Sequence, residues 1–129
     1  LLPDINAIKY STNPYNVNRM AQAAGAAAMA DNGYYLSNCR TIMENREYTV
    51  EKLTELGFSV LPSKANFIFA RTDRMEGGAL YRALKRDGVL VRHFDKEKIS
   101  DYLRISIGTR EQMDVLLQKT RAILEQEGN

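Results

Sequence analysis

The apolar positions keep a helical period up to Gly57 and change there to an extended one. Between Val17 and about Ala30, Met20, Ala24, Ala27 and Ala28 recur at helical spacing in an alanine-rich run that would let neighbours approach closely. From about Gly33 to Leu56, Leu36, Cys39, Met43, Val50 and Leu53 keep a three-to-four-residue period, with Arg40, Glu44, Arg46, Glu47, Glu51 and Lys52 between them. This predicts a long amphipathic helix of roughly 35 Å, ended by Gly57. Beyond Gly57 the runs become short and extended. Phe58 to Leu61 and Ala65 to Arg71 read as two strands joined by Pro62-Ser63-Lys64, an antiparallel hairpin rather than a parallel crossover. Leu80, Ala83 and Leu84 form the inner stripe of a helix from Ala79 to Asp87, closed by Gly88. Val89 to Phe94 and Tyr102 to Ile107 supply a third and a fourth strand. A last helix, about Arg110 to Glu125, lines up Met113, Leu116, Leu117, Thr120 and Leu124, and is headed by Thr109 and Gln112 at capping-box spacing.

Ahead of the long helix, Pro3, Asn13, Pro14 and Asn16 mark turns around a single helical stretch at Asp4 to Lys9, with Asn16 as a candidate cap for the alanine-rich helix. Asp31-Asn32-Gly33 separates that helix from the next. The order predicts an α+β fold: a short, mostly antiparallel sheet covered on one face by helices and preceded by a long connecting helix. Residues 1–32 read as a connecting segment and residues 33–129 as the domain.

Composition narrows the function more by exclusion than by indication. The chain has 129 residues, 44% of them hydrophobic and 26% charged, which suits one ordered domain. With 18 basic and 16 acidic residues interspersed, the net charge is +2, so no basic stripe for nucleic acid stands out. Ala21 to Ala30 is too short to cross a bilayer, and no membrane association is expected. The chain opens Leu1-Leu2-Pro3 without a methionine or a leader pattern, and is expected to be an excised piece of a larger cytoplasmic protein. Cys39, the one cysteine, excludes an internal disulfide and reads as a packed thiol. His93, the one histidine, makes a histidine-rich metal cluster impossible, and no metal site is expected. Gly77-Gly78 lacks the lysine and hydroxyl of a phosphate loop. Arg71 and Arg74 look like solvated surface.

Two arginines stand where a strand would carry an apolar residue: Arg92 in Val89-Leu90-Val91-Arg92-His93-Phe94, and Arg104 in Leu103-Arg104-Ile105-Ser106-Ile107. A guanidinium in mid-strand loses hydration, at a cost of several kcal/mol unless an anion meets it. Alternation sets Arg104 opposite to Leu103, Ile105 and Ile107, on the side of Tyr102 and Ser106. Its planar fork suits a carboxylate or phosphate, so the pair reads as a pocket for a small anionic substrate. An internal ion pair with Asp95, Glu97 or Asp101 is the structural alternative. Asn13-Pro14-Tyr15-Asn16-Val17-Asn18 is either a ligand-facing or partner-facing peptide, or an ordinary loop with a helix cap.

In order and spacing, several stretches resemble the carboxy-terminal part of the fold type I pyridoxal-phosphate aminotransferases, most closely their histidinol-phosphate branch. They are Pro14-Tyr15-Asn16-Val17-Asn18, Gly57-Phe58, Pro62-Ser63-Lys64-Ala65-Asn66-Phe67, Leu80-Tyr81 to Leu84, Gly88 to Arg92, and Leu103 to Thr109. The resemblance implies that Arg104 grips the substrate's carboxylate or phosphate, that Arg92 assists, and that Tyr15, Asn16 and Asn66 border the substrate or shape the pocket mouth. It also implies a parent enzyme using pyridoxal 5'-phosphate to exchange an amino group between histidinol phosphate and 2-oxoglutarate, and working as a homodimer. The Schiff-base lysine of that family belongs to a large N-terminal domain, and Lys9 and Lys64 are not in its setting. No catalytic residue and no bound cofactor are therefore expected in this chain alone. Alternatives are another superfamily member, such as an aromatic aminotransferase or a phosphothreonine decarboxylase, or a non-catalytic α+β module binding an anion or a partner protein.

Overall fold

In the computed structural model the described residues are 1–11 and 17–126, with the side chains of Tyr10 and Ser11 left aside. The chain divides into two units, residues 1–36 and 37–129. The first holds α1 (Leu2–Ser11) and α2 (Arg19–Ala30). Asn18 caps α2, its side-chain oxygen accepting the Ala21 N–H at 2.9 Å. The cap thus falls two residues later than the sequence suggested, immediately before the first helical residue. Asn16 lies outside the described residues. Tyr34 and Tyr35 are exposed, in an edge-to-face pair with centroids 5.2 Å apart.

The second unit takes α3 (Asn32–Glu55) from Ser37 onward, then β1 (Phe58–Leu61), β2 (Phe67–Thr72), α4 (Gly77–Arg86), β3 (Arg92–His93), β4 (Leu103–Ser106) and α5 (Arg110–Gln126). The sheet is antiparallel throughout, in the order β1-β2-β4-β3. One face is dry: Ile68 and Ala70 from β2 and Leu103 and Ile105 from β4 join Leu53, Leu80, Leu84, Leu116 and Leu124 from the helices in a single core. The α+β architecture, with helices on one sheet face, is the one expected from the hydrophobic periods.

Differences from the sequence reading trace to local hydrogen bonds. β2 starts at Phe67, not Ala65, because Ser63 Oγ accepts the Ala65 N–H at 3.1 Å and donates to the Phe67 carbonyl at 2.6 Å, and Arg46 Nη1 donates to the Ala65 carbonyl. Those bonds hold 63–66 as a turn. α4 starts at Gly77 because Glu76 caps it, accepting the Gly78 N–H. β3 is two residues long rather than six. The Val89 N–H is taken by the Leu84 carbonyl at 2.8 Å, and the chain turns away after Phe94, whose carbonyl accepts the Lys96 N–H at 2.9 Å. Cys39 is exposed rather than packed. The capping box forms as expected: Thr109 N–H donates to Gln112 Oε1 at 3.0 Å and Gln112 N–H to Thr109 Oγ1 at 3.4 Å.

The bonds from Val89 to Leu84 and from Gly88 to Lys85 make a Schellman ending, and Gly88 adopts φ +84° with open space where a Cβ would stand. Gly88→Ala is therefore expected to cost about 1 kcal/mol through torsion alone, read from a urea unfolding midpoint. A variant as stable as the parent would show that the left-handed turn is not needed.

Polar side chains of α3 bond within the helix and to the segments beside it. Thr49 Oγ1 donates to the Asn45 carbonyl at 2.6 Å, and Asn45 Nδ2 donates to the Gly108 carbonyl at 3.0 Å. Tyr48 Oη donates to Asp114 Oδ1 at 2.6 Å, a bond that holds the phenol above the ordinary tyrosine range. Among the described residues no helix is long and apolar enough to cross a membrane, and no group of three metal-ligating side chains occurs.

Candidate anion site on the open sheet face

Alternation along β2 and β4 sends Ile68, Ala70, Leu103 and Ile105 into the core and leaves Phe67, Phe69, Arg71, Arg104 and Ser106 on the other face. Register then places the two sequence-selected arginines together. Arg92 on β3 is the direct cross-strand partner of Arg104 on β4, whose other neighbour is Phe69 on β2. Like charges directly opposite one another destabilise a strand pair, so an anion between the exposed Arg92 and the half-buried Arg104 would relieve this juxtaposition.

The described acids do not provide one. Among the described residues, the arginine ion pairs are Arg71 with Asp73, Arg82 with Glu76 and Arg86 with Asp87, and none reaches Arg92 or Arg104. Asp95, Glu97 and Asp101, the sequence-local acids, do not pair with either. Arg104 and Arg92 instead rest on rings, Arg104 over Phe67 at 5.3 Å and Arg92 over Phe94 at 5.2 Å, and Arg71, besides its ion pair, lies over Tyr102 at 5.8 Å. Arg104 Nε is sealed from solvent and has no hydrogen-bond partner among the described residues. A hollow of about 330 Å³ opens beside it, walled by Leu61, Pro62, Phe67, Phe69 and Phe94. The Arg104 guanidinium, with no hydrogen bond or ion pair among the described residues and at the wall of an apolar hollow, can take a carboxylate or phosphate through its terminal Nη groups, with Arg92 adding a second positive charge.

Asn66 is exposed in the turn ahead of β2, and its carbonyl accepts the Ile107 N–H at 2.9 Å at the end of the same ladder. Tyr15 and Asn16 lie outside the described residues. Sequence reasoning missed Phe67, Phe69 and Phe94 as components of this face, and the available signal was the alternation Phe67, Phe69, Arg71 along β2. A larger hollow of about 610 Å³, between residues 88–91 and α5, is mostly apolar and has Glu111 as its one charged lining residue, so it brings no charged pair together. Neither the arginine hollow nor the strand positions around it include a lysine. These residues alone do not fit a cofactor held as a Schiff base.

A family model described as aminotransferase class I and II matches residues 5–119. Histidinol-phosphate aminotransferases of Clostridium beijerinckii and Chromohalobacter salexigens are 44% and 42% identical over 124 and 123 residues, covering 96% and 95% of this chain. This chain spans 35% of the length of each of those relatives. The solved histidinol-phosphate aminotransferase of Clostridium acetobutylicum shares the fold with a TM-score of 0.78 at 24% identity, over 92% of this chain and 37% of its own. That of Sinorhizobium meliloti, in complex with pyridoxal-5'-phosphate, gives 0.74 at 22% identity, over 93% and 33%. The matched span takes in every strand of the sheet and both facing arginines, and the chain belongs to the aminotransferase class I and II family.

Proposed function

We propose that this chain is the substrate-anchoring C-terminal part of a longer pyridoxal-phosphate-dependent aminotransferase, cytoplasmic and homodimeric. Residues 33–129 are its small domain, and residues 1–32 lead in from a large domain upstream. The substrates are histidinol phosphate and 2-oxoglutarate, a reading supported by the relatives that share more than two residues in five with this chain. The observation that carries the anchoring role is Arg104: a mid-strand guanidinium at the wall of an apolar hollow, with no ion pair among the described residues and faced by Arg92 rather than by an acid.

In the reaction this chain binds and orients. Arg104 and Arg92 hold the acidic end of the substrate, and the apolar walls of the hollow keep water from competing for the guanidinium edge. Fixing that end presents the amine at a set position, a contribution of proximity rather than of proton transfer. By the family resemblance, Tyr15, Asn16 and Asn66 are the residues proposed to border the substrate or shape the pocket mouth. Pyridoxal phosphate, which supplies the electron sink, is held by the large domain with its lysine. None is expected on this chain alone.

In the full-length protein, Arg104→Gln is expected to lower kcat/KM for histidinol phosphate about thirtyfold to a hundredfold, the loss of one charge-assisted grip. Arg104→Lys, which keeps the charge but not the fork, should lower it less. Steady-state kinetics decide: wild-type kcat/KM in the glutamine variant removes the anchoring role. The 129-residue chain supplied with pyridoxal phosphate is expected to show no turnover, and robust amino transfer by it would overturn the assignment of the lysine to another domain. The aromatic walls favour one second reading, an aromatic aminotransferase, which a full-length enzyme preferring phenylalanine over histidinol phosphate would support.

A further inference from the structure

We infer that Phe67 is a positioning residue that aims the Arg104 guanidinium into the hollow while leaving its hydrogen-bonding edge free. The inference rests on the anchoring role of Arg104 proposed above and adds to it the element that sets the direction of the side chain. A guanidinium has two ways to be held: an acid occupies its N–H edge and neutralises it, whereas an aromatic ring occupies its flat face and leaves the charge and the edge available. Here a ring and not an acid meets Arg104: its guanidinium carbon lies over Phe67, and no ion pair reaches it among the described residues.

Register leaves the side chain one favourable course. Directly across from Arg104 stand Phe69 and Arg92. The Phe69 ring is already engaged, stacked on Tyr102 at 4.8 Å with 9° between planes and met by Phe94 at 6.1 Å and 65°. Arg92 repels. The diagonal neighbour on β2 is Phe67, whose own direct partner is Ser106, and diagonal pairs are within reach of long side chains. The guanidinium carbon lies 5.3 Å from its centroid. Phe67 makes no ring-to-ring contact among the described residues and remains 37% exposed, outside the buried core. Among the described residues its one ring interaction is with Arg104.

The test is a double-mutant cycle in the full-length enzyme with histidinol phosphate as the varied substrate, comparing wild type, Phe67→Leu, Arg104→Gln and the double variant, with Phe67→Tyr as the conservative control. Phe67→Leu is expected to raise KM about threefold to thirtyfold with kcat within about twofold, the span of a partly desolvated cation–π contact. Phe67→Tyr should restore KM, and Phe67→Leu should add nothing once Arg104 is glutamine. Phe67→Met, which also lacks the ring, supplies the same comparison if the leucine variant folds poorly. An unchanged KM in a folded ringless variant overturns the inference, as does an equal rise with and without Arg104, which marks general packing. If Arg104→Gln itself leaves KM at the wild-type value, the anchoring role falls and the inference falls with it.

Discussion

Gly77→Ala is expected to destabilise the chain by about 3 kcal/mol, at the upper end of overpacking costs. A Cβ at residue 77 would stand 2.5 Å from the Ser100 carbonyl oxygen and 2.8 Å from the carbonyl carbon and oxygen of Asp101. These are backbone atoms, so no rotamer change relieves the overlap. Ser100 is also not free to move: its carbonyl accepts the His93 Nε2–H at 2.7 Å, and His93 stacks on Tyr81 of α4 with centroids 5.9 Å apart. Displacing residues 100–101 would therefore strain both ends of the β3–β4 connection, and with them the register that faces Arg92 to Arg104. Urea unfolding of the variant, beside Gly88→Ala, separates two kinds of glycine. Gly88 is needed for its φ and has room for a side chain; Gly77 is needed for space. A Gly77→Ala midpoint indistinguishable from the parent's would falsify the close approach of α4 to residues 100–101.

Ile68→Ala is expected to cost about 4 kcal/mol, and Ile68→Val about 1 kcal/mol. Ile68 is fully buried on β2, a central strand with β1 on one side and β4 on the other, and faces Ile105 directly. Truncation there loses the transferred methylenes and leaves a cavity. Leu103, Leu84 and Leu116 of the same core are held on three different elements, which limits how far the core can relax into it. Chemical denaturation of both variants, with Ser59→Ala on the exposed side of β1 as a control within about 0.5 kcal/mol, reads the layer directly. An alanine variant losing less than 1 kcal/mol would mean that the core does not lie on this face of the sheet.

Much of the fold was legible because the signals were local and periodic. α5 begins where Thr109 and Gln112 satisfy one another's backbone N–H groups, and its inward stripe is the run Met113, Leu116, Leu117, Thr120 and Leu124. The faces of β4 follow from alternation, with Leu103 and Ile105 buried and Arg104 turned away. Strand ends were less legible. Helix termini and side chains reached across and took their N–H and carbonyl groups, as at Ala65 and Val89.

The candidate site divides along the same line. The chain's own order of residues determined that two guanidiniums sit in extended segments; the expected loss of hydration holds for Arg104, which is half-buried, and not for Arg92, which is exposed at the short edge strand. Sequence proximity suggested Asp95, Glu97 and Asp101 as partners, and it misled, since neighbours in sequence need not share a sheet face or a direction. Only tertiary structure decided that Arg92 and Arg104 oppose one another, that Phe67, Phe69, Phe94 and Tyr102 interleave with them, and that Arg104 Nε is sealed without an acceptor. Strand register sets those relations, and register is settled by the packing of the opposite, apolar face.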